Sequence, residues 1–321
     1  ASVAGLDRAG PPHSPGTSDW SGLEVPATLR DSLTARLDRL GAAKALAQTA
    51  SVLGREFDYA LVRAMCDLPP AALDEQLAAL GRADLLQPTG VPPRSRYRFK
   101  HALLQDAAYE TLLLATRRRL HERAAHAYVT SFGEVLQSRP ELAAHHYSRA
   151  GRPADAVAYW QQAGELALAR SGHEEAIAHL EAGLEQIASM LDDAARAAAE
   201  LRLRVTLGPA LLARLGFGAP AAGANYARAC ELAQTQGDTA DSFAAQWGDW
   251  LFKNTRGSFV AATRRCDDLV RLAGRLGDDG LLLQAHHSRW TNFLFLGQVE
   301  HARDDAFEGM RLYDAMRHRD H

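Results

Sequence analysis

Two stretches come close to the zinc-protease motif HExxH, in which histidines four apart on a helix hold one metal and the glutamate activates its water. In His121-Glu122-Arg123-Ala124-Ala125-His126 the histidines are five apart, and from His173 to His179 they are six apart. At roughly 100° per residue those spacings turn the paired imidazoles about 140° and 120° away from each other, so one ion cannot bridge them. Both read as solvated or packed helix residues. The adjacent pairs His145-His146 and His286-His287 diverge in the same way, and no metal site is expected. A phosphate-cradling P-loop needs Gly-Lys followed by Ser or Thr. The chain has three lysines, Lys44, Lys100 and Lys253, and none follows a glycine. GFGAPA, from Gly216 to Ala221, matches the dinucleotide fingerprint by letters, yet it follows the helical run ALLARL where a strand is required, and it reads as a turn. No GxSxG elbow is present. The chain is expected to carry no catalytic residue and no cofactor of its own.

His101 differs because of where it falls. In RYRFKHALLQDAAYETLLL, Arg96 to Leu114, Tyr97 and Phe99 alternate with Arg96, Arg98 and Lys100, the period of a half-buried strand. Leu104, Ala108, Leu112 and Ala115 then share one helical face. A strand running straight into a helix leaves His101 at the helix N-terminus, either as a cap that packs the junction or beside amide groups able to receive an anion.

The surrounding elements follow from periodicity and punctuation. Residues 1–25, with Pro11, Pro12 and Pro15, have the composition of a mobile lead-in. Leu29, Leu33, Leu37 and Leu40 mark a first helix after Pro26, and further helices are expected at 42–53, 59–66 and 70–80. Strands at 84–87 and 96–100 flank the turn-rich PTGVPPRS. Three short helices plus a β-hairpin, then another helix, is the order of a winged-helix domain, here 26–120. Such domains often bind DNA, and a DNA-binding transcriptional regulator is the alternative reading. The helix that would enter the groove carries Asp74 and Glu75 and no basic residue before Arg82, which argues against nucleic acid.

From residue 121 to 321 the chain reads as helices parted by glycine breaks. A shift of about 40 residues superposes Cys230-Glu231-Leu232-Ala233 on Val270-Arg271-Leu272-Ala273 and on Met310-Arg311-Leu312-Tyr313, and Trp250 on Trp290. The breaks at Gly216, Gly257 and Gly297, and at Gly237 and Gly277, keep that spacing. Pairs of helices of about 17 residues fill the period and stack as an α-solenoid of tetratricopeptide-like hairpins. The fold class is therefore mainly α. Trp247, Trp250, Trp290 and Tyr226 are candidate partner contacts on the repeat surface, or packing between helices.

The 36 basic and 39 acidic residues nearly cancel, so no overall field draws the chain to nucleic acid or membrane. Cys66, Cys230 and Cys266 are odd in number and far apart, which suits core thiols in a reduced, cytoplasmic setting. No apolar run approaches the roughly 20 residues of a membrane helix. The first residue, Ala1, and a last residue just after an amphipathic run suggest a fragment of a longer polypeptide.

The run VPATLRDSLTARLDRLGAAKALAQTASVLGREFDYAL, then YRFKHALLQDAAYETLL with RRRLHERAAHAY, then PELAAHHYSRAGRPADAVAYWQQAGELALARSGHEEAIAHLEAGLE, strongly resembles bacterial signal-transduction ATPases of the numerous-domains type. In these, a class III adenylate/guanylate cyclase domain often precedes the ATPase and a tetratricopeptide region follows it. The resemblance covers about residues 25 to 315. It implies that the chain is the winged helix and repeat sensor downstream of a nucleotide-binding core, with ATP or ADP and Mg bound by that upstream domain. It also implies that Lys100-His101-Ala102 occupies the place of a Met-His-Asp motif whose histidine contacts the nucleotide's phosphate. Lys100 and Ala102 depart from that motif.

Overall fold

Nine-residue and shorter pieces dominate the first part of the chain and long helices the rest, a change that tracks where glycine and proline cluster. The computed structural model describes residues 27–91 and 94–314; the lead-in expected over residues 1–25 lies outside them. Helices α1 (Ala27–Asp38), α2 (Ala43–Ser51), α3 (Tyr59–Met65), α4 (Pro70–Arg82) and α5 (Ala102–Glu110) surround a sheet of β1 (Glu56–Asp58), β2 (Leu86–Thr89) and β3 (Arg96–Phe99). The expected order of short helices, hairpin and following helix is present, with β1 added as a third strand.

The sheet is antiparallel in the order β1-β3-β2, with Phe57 opposite Tyr97 and Leu86 opposite Phe99. The period-two pattern of β3 is realised: Tyr97 and Phe99 turn inward, and Phe57 stacks on Tyr97 at 5.8 Å between ring centroids. Arg96 and Arg98 face outward, Arg96 on Asp58 at 2.8 Å. Phe57, Val62, Leu73, Leu77, Leu80, Phe99 and Leu104 form the core beneath the sheet.

The helix expected to run on from His101 past Leu112 breaks at Thr111–Leu113, and α6 (Leu114–Ser131) starts afresh. One face of α6 packs on α3 through Ala124 and Ala127 against Leu61 and Met65. The same helix packs on α8 (Glu141–Ala150), after the short α7 (Gly133–Ser138). The point between residues 120 and 121, where the sequence pattern divides the chain, therefore lies inside a helix that both parts share.

Beyond α8 the chain is a two-layer solenoid of antiparallel hairpins. Its helices are α9 (Pro153–Ala169), α10 (His173–Ile187), α11 (Asp193–Leu215), α12 (Pro220–Gln236), α13 (Ala240–Thr255), α14 (Phe259–Leu276), α15 (Asp279–Phe295) and α16 (Val299–Leu312). The breaks at Gly216, Gly237, Gly257, Gly277 and Gly297 are all turns with positive φ, from 66° to 92°, where any side chain would be strained. GFGAPA is the turn between α11 and α12. Successive members of the set α9, α11, α13 and α15 touch one another, whereas α10, α12, α14 and α16 are separated by them. The closer-spaced set forms the inner layer of the curve.

Inside α11, Pro209 cannot donate to the helix ladder. Asn225 of α12 donates to the carbonyl of Arg204 at 2.8 Å, in the turn just before that proline, and ties the two helices together. Among the described residues no helix is long and apolar enough to cross a membrane.

Candidate functional site

Close approach of inner and outer helices depends on glycines that receive large side chains. Gly208 of α11 and Gly248 of α13 flank the Tyr226 ring, so a Cβ at either would overlap it. Gly309 of α16 does the same for Trp290, where an added Cβ would lie 2.6 Å from Cζ3. These contacts sort the four aromatic candidates. Tyr226 is 3% exposed and Trp250 2%, so both fill space between hairpins and offer nothing to a partner; as surface contacts they are corrected to packing. Trp247 and Trp290 are half-buried. Trp247 leans on Trp250 at 5.8 Å, while Trp290 lines a cleft of about 350 Å³ with Leu283, His287 and Met310 at the α15–α16 end.

The inner layer also holds a groove of about 340 Å³ between α9 and α11, apolar along its walls with a few polar groups. Ala154, Val157, Ala158, Met190 and Ala199 make it apolar, and Gln161, Gln162, Glu165 and Arg202 supply its polar groups. Gln161 is 7% exposed; its amide nitrogen donates to Glu165 at 2.7 Å and to Thr206 at 2.6 Å. Its Oε1 has no partner. Nothing in the one-dimensional pattern distinguishes this glutamine from Gln162 beside it.

At the N-terminus of α5, His101 is exposed, extended (φ −129°, ψ 140°) and makes no side-chain cap bond. Its carbonyl accepts from Leu104 at 3.0 Å. The Lys100 ammonium sits on Asp84, a residue at φ 57° in the turn after α4, and that lysine holds the Asp84 carboxyl below its usual range. His101 lies near the same Asp84 carboxylate without bonding to it.

The histidines that fail the HExxH spacing have other roles. His121 of α6 turns to His146 of α8, with the two Nδ1 atoms 2.9 Å apart, and its Nε2 meets the Tyr109 hydroxyl of α5 at 3.0 Å. A neutral His121 that donates from Nδ1 to His146 and accepts at Nε2 from the Tyr109 hydroxyl satisfies both contacts. Burial, then the neighbouring His145, Arg149 and Arg117, push the His121 pKa down to about 3. Burial, then His121 and His145, push His146 well below its ordinary value. The expectation that His145 and His146 diverge is corrected: their ring centroids are 5.4 Å apart, and His145 also lies edge-on to His121 at 6.0 Å, although it remains partly open to solvent. Because these histidines stay neutral in the fold but take up protons once unfolded, stability is full above pH 6.5 and falls as pH drops below it. The expected loss from pH 6.5 to 4.5 is roughly 2 kcal/mol for each of the two histidines. Urea unfolding across that range should show the fall, with a slope about one proton shallower in His121→Gln; an unchanged slope would assign the acid sensitivity elsewhere.

Cys266 is buried, Cys66 and Cys230 half-buried, and all three are free thiols; burial pushes Cys266 up to about 12 and Cys230 up to about 11, which leaves both protonated at neutral pH. Among the described residues no group of three or more His, Cys, Asp or Glu could hold a metal ion.

No family model matches the chain. An uncharacterized protein from Rhizobium meliloti (strain 1021) is 29% identical over 288 residues, 89% of this chain and 28% of that protein. The chain thus spans little more than a quarter of that relative's length. The crystal structure of a Signal Transduction ATPase with Numerous Domains protein with a tetratricopeptide repeat sensor, from Pyrococcus horikoshii, aligns with a TM-score of 0.44 at 11% identity, over 90% of this chain and 53% of that one. A score at that level does not establish a shared fold, and the architecture rests on the chain's own helices.

Proposed function

We propose that the chain is a non-catalytic regulatory and protein-interaction module of a larger signalling protein. Its solenoid takes up a protein or peptide signal on the inner layer, and its first part, read as a winged helix, passes the change to a nucleotide-binding core elsewhere in the polypeptide. The observation that carries this reading is α6. One face is buried on α3 and another on α8, so a shift of the first repeats is transmitted to α3 of the sheet-containing part through this one helix. Sequence resemblance supplies the nature of the core, a signal-transduction ATPase with bound ATP or ADP and Mg, and a cyclase domain preceding it.

His101 is then the contact to that core. Its side chain is exposed and makes no cap bond at the N-terminus of α5, whose Tyr109 meets His121 on α6, so α5 joins the junction to the proposed nucleotide contact. In the full-length protein, His101→Ala should change ADP retention or basal ATPase rate several-fold while leaving the thermal unfolding of the present chain unaltered. Unchanged nucleotide kinetics would return His101 to a plain strand-to-helix junction.

A further inference from the structure

The groove between α9 and α11 has a composition that selects its occupant. Both amide hydrogens of Gln161 are committed, one to Glu165 and one to Thr206, which fixes the orientation of the carboxamide and leaves Oε1 as a buried acceptor without a donor. Glu165 is exposed, and among the described residues its carboxylate is met by the Gln161 amide rather than by a basic group. The only cation on the rim, Arg202, is drawn toward Asp241 of α13 at 3.9 Å. The remaining walls are the aliphatic surfaces of Val157, Ala158, Met190 and Ala199. Two adjacent acceptors above an apolar channel fit a group that carries several donors and a positive charge at the end of a hydrocarbon stem.

We propose that this groove receives a lysine or arginine side chain of a partner peptide. The stem lies along Val157 and Met190, and the ammonium or guanidinium donates to Gln161 Oε1 and to the Glu165 carboxylate. An orphaned buried carbonyl loses free energy until it is paired, so a donor that reaches it binds more strongly than surface attraction to Glu165 alone would allow. This deepens the reading of the repeats as an interaction surface and rests on it.

The test uses the whole 321-residue chain. A fluorescent, acetylated and amidated Ala-Gly-Lys-Ala-Gly peptide is titrated by anisotropy at low salt, beside its Glu-for-Lys counterpart and free butylamine as competitor. The lysine peptide is expected to bind and the glutamate peptide not. Glu165→Gln and Gln161→Met should each weaken binding about ten-fold or more. Glu165 is exposed, so its substitution leaves the fold intact even if Gln161→Met proves unstable. Equal binding of both peptides, or affinity indifferent to Glu165→Gln, would overturn the proposal. Competition by butylamine at concentrations equal to the peptide's would assign the groove to a free cation and overturn the peptide part. Failure here, with a partner still cross-linked to the inner layer elsewhere, would leave the interaction-module reading standing.

Discussion

Gly248→Ser is expected to cost about 3 kcal/mol of stability, near the upper end for overpacking a rigid core. The Tyr226 ring lies between the backbones of Gly208 and Gly248, and an added Cβ on either side would overlap ring atoms. A ring held on both faces by helix backbone cannot step aside without moving a helix. The neighbouring hairpin treats the same crossing differently: 40 residues on, Tyr226 becomes Cys266 and Gly248 becomes Ser288, both buried, with the Ser288 hydroxyl donating to the Ala285 carbonyl of its own helix. Tyr226→Cys introduced into Gly248→Ser should therefore recover part of the loss, with a coupling of about 1–2 kcal/mol in a double-mutant cycle by urea unfolding. Additive effects would mean that the two positions do not share one space.

Asp249→Arg is the second large change, with an expected loss of about 3–5 kcal/mol, because it buries a positive charge against the partly buried Arg265 and Lys253. Asp249 is 6% exposed and holds Arg265 at 2.8 Å, with Lys253 on the same oxygen. The next hairpin has the charges exchanged: position 289 is arginine and position 305 aspartate, and Arg289 meets Asp305 at 3.1 Å. His286 adds a contact to Asp305 at 2.9 Å. Where Asp249 has Lys253, the equivalent residue beside Arg289 is Phe293, so an exchanged pair at 249 and 265 must also lose Lys253. Asp249→Arg with Arg265→Asp and Lys253→Met is expected to regain most of the stability, measured by chemical denaturation. A triple variant no more stable than Asp249→Arg would show that the two crossings are not equivalent.

These pairs also show what the sequence could convey. The 40-residue shift that aligns Trp250 with Trp290 contains the exchange of Asp249 for Arg289 and Arg265 for Asp305. That exchange becomes readable only once α13 and α14 are seen to cross, because sixteen residues separate the two positions. The glycine breaks were legible, because positive φ restricts them to glycine. Strand β1 was not: three residues, Glu56–Asp58, are too short for a period. The break at Thr111–Leu113 lacks glycine and proline, so the helical face seemed continuous from His101 to Ala115. The side-chain contacts at the proposed site were least legible. The His121–His146 contact joins residues that are brought together only by the crossing of α6 and α8, and the vacant acceptor of Gln161 arises from bonds to Glu165 and Thr206 on two different helices. Aromatic type alone put Tyr226 and Trp250 among partner contacts, although each is the residue that a facing helix encloses.

The central claim is that a partner is taken up on the inner layer of the solenoid. A photoreactive amino acid placed at Gln162, exposed in the α9–α11 groove, and separately at Glu185, exposed on α10 in the other layer, tests it within the full-length protein in its own cells. The account predicts one peptide sequence, containing lysine or arginine, cross-linked from position 162 and absent from position 185. Equal cross-linking of the same sequences from both positions would contradict it.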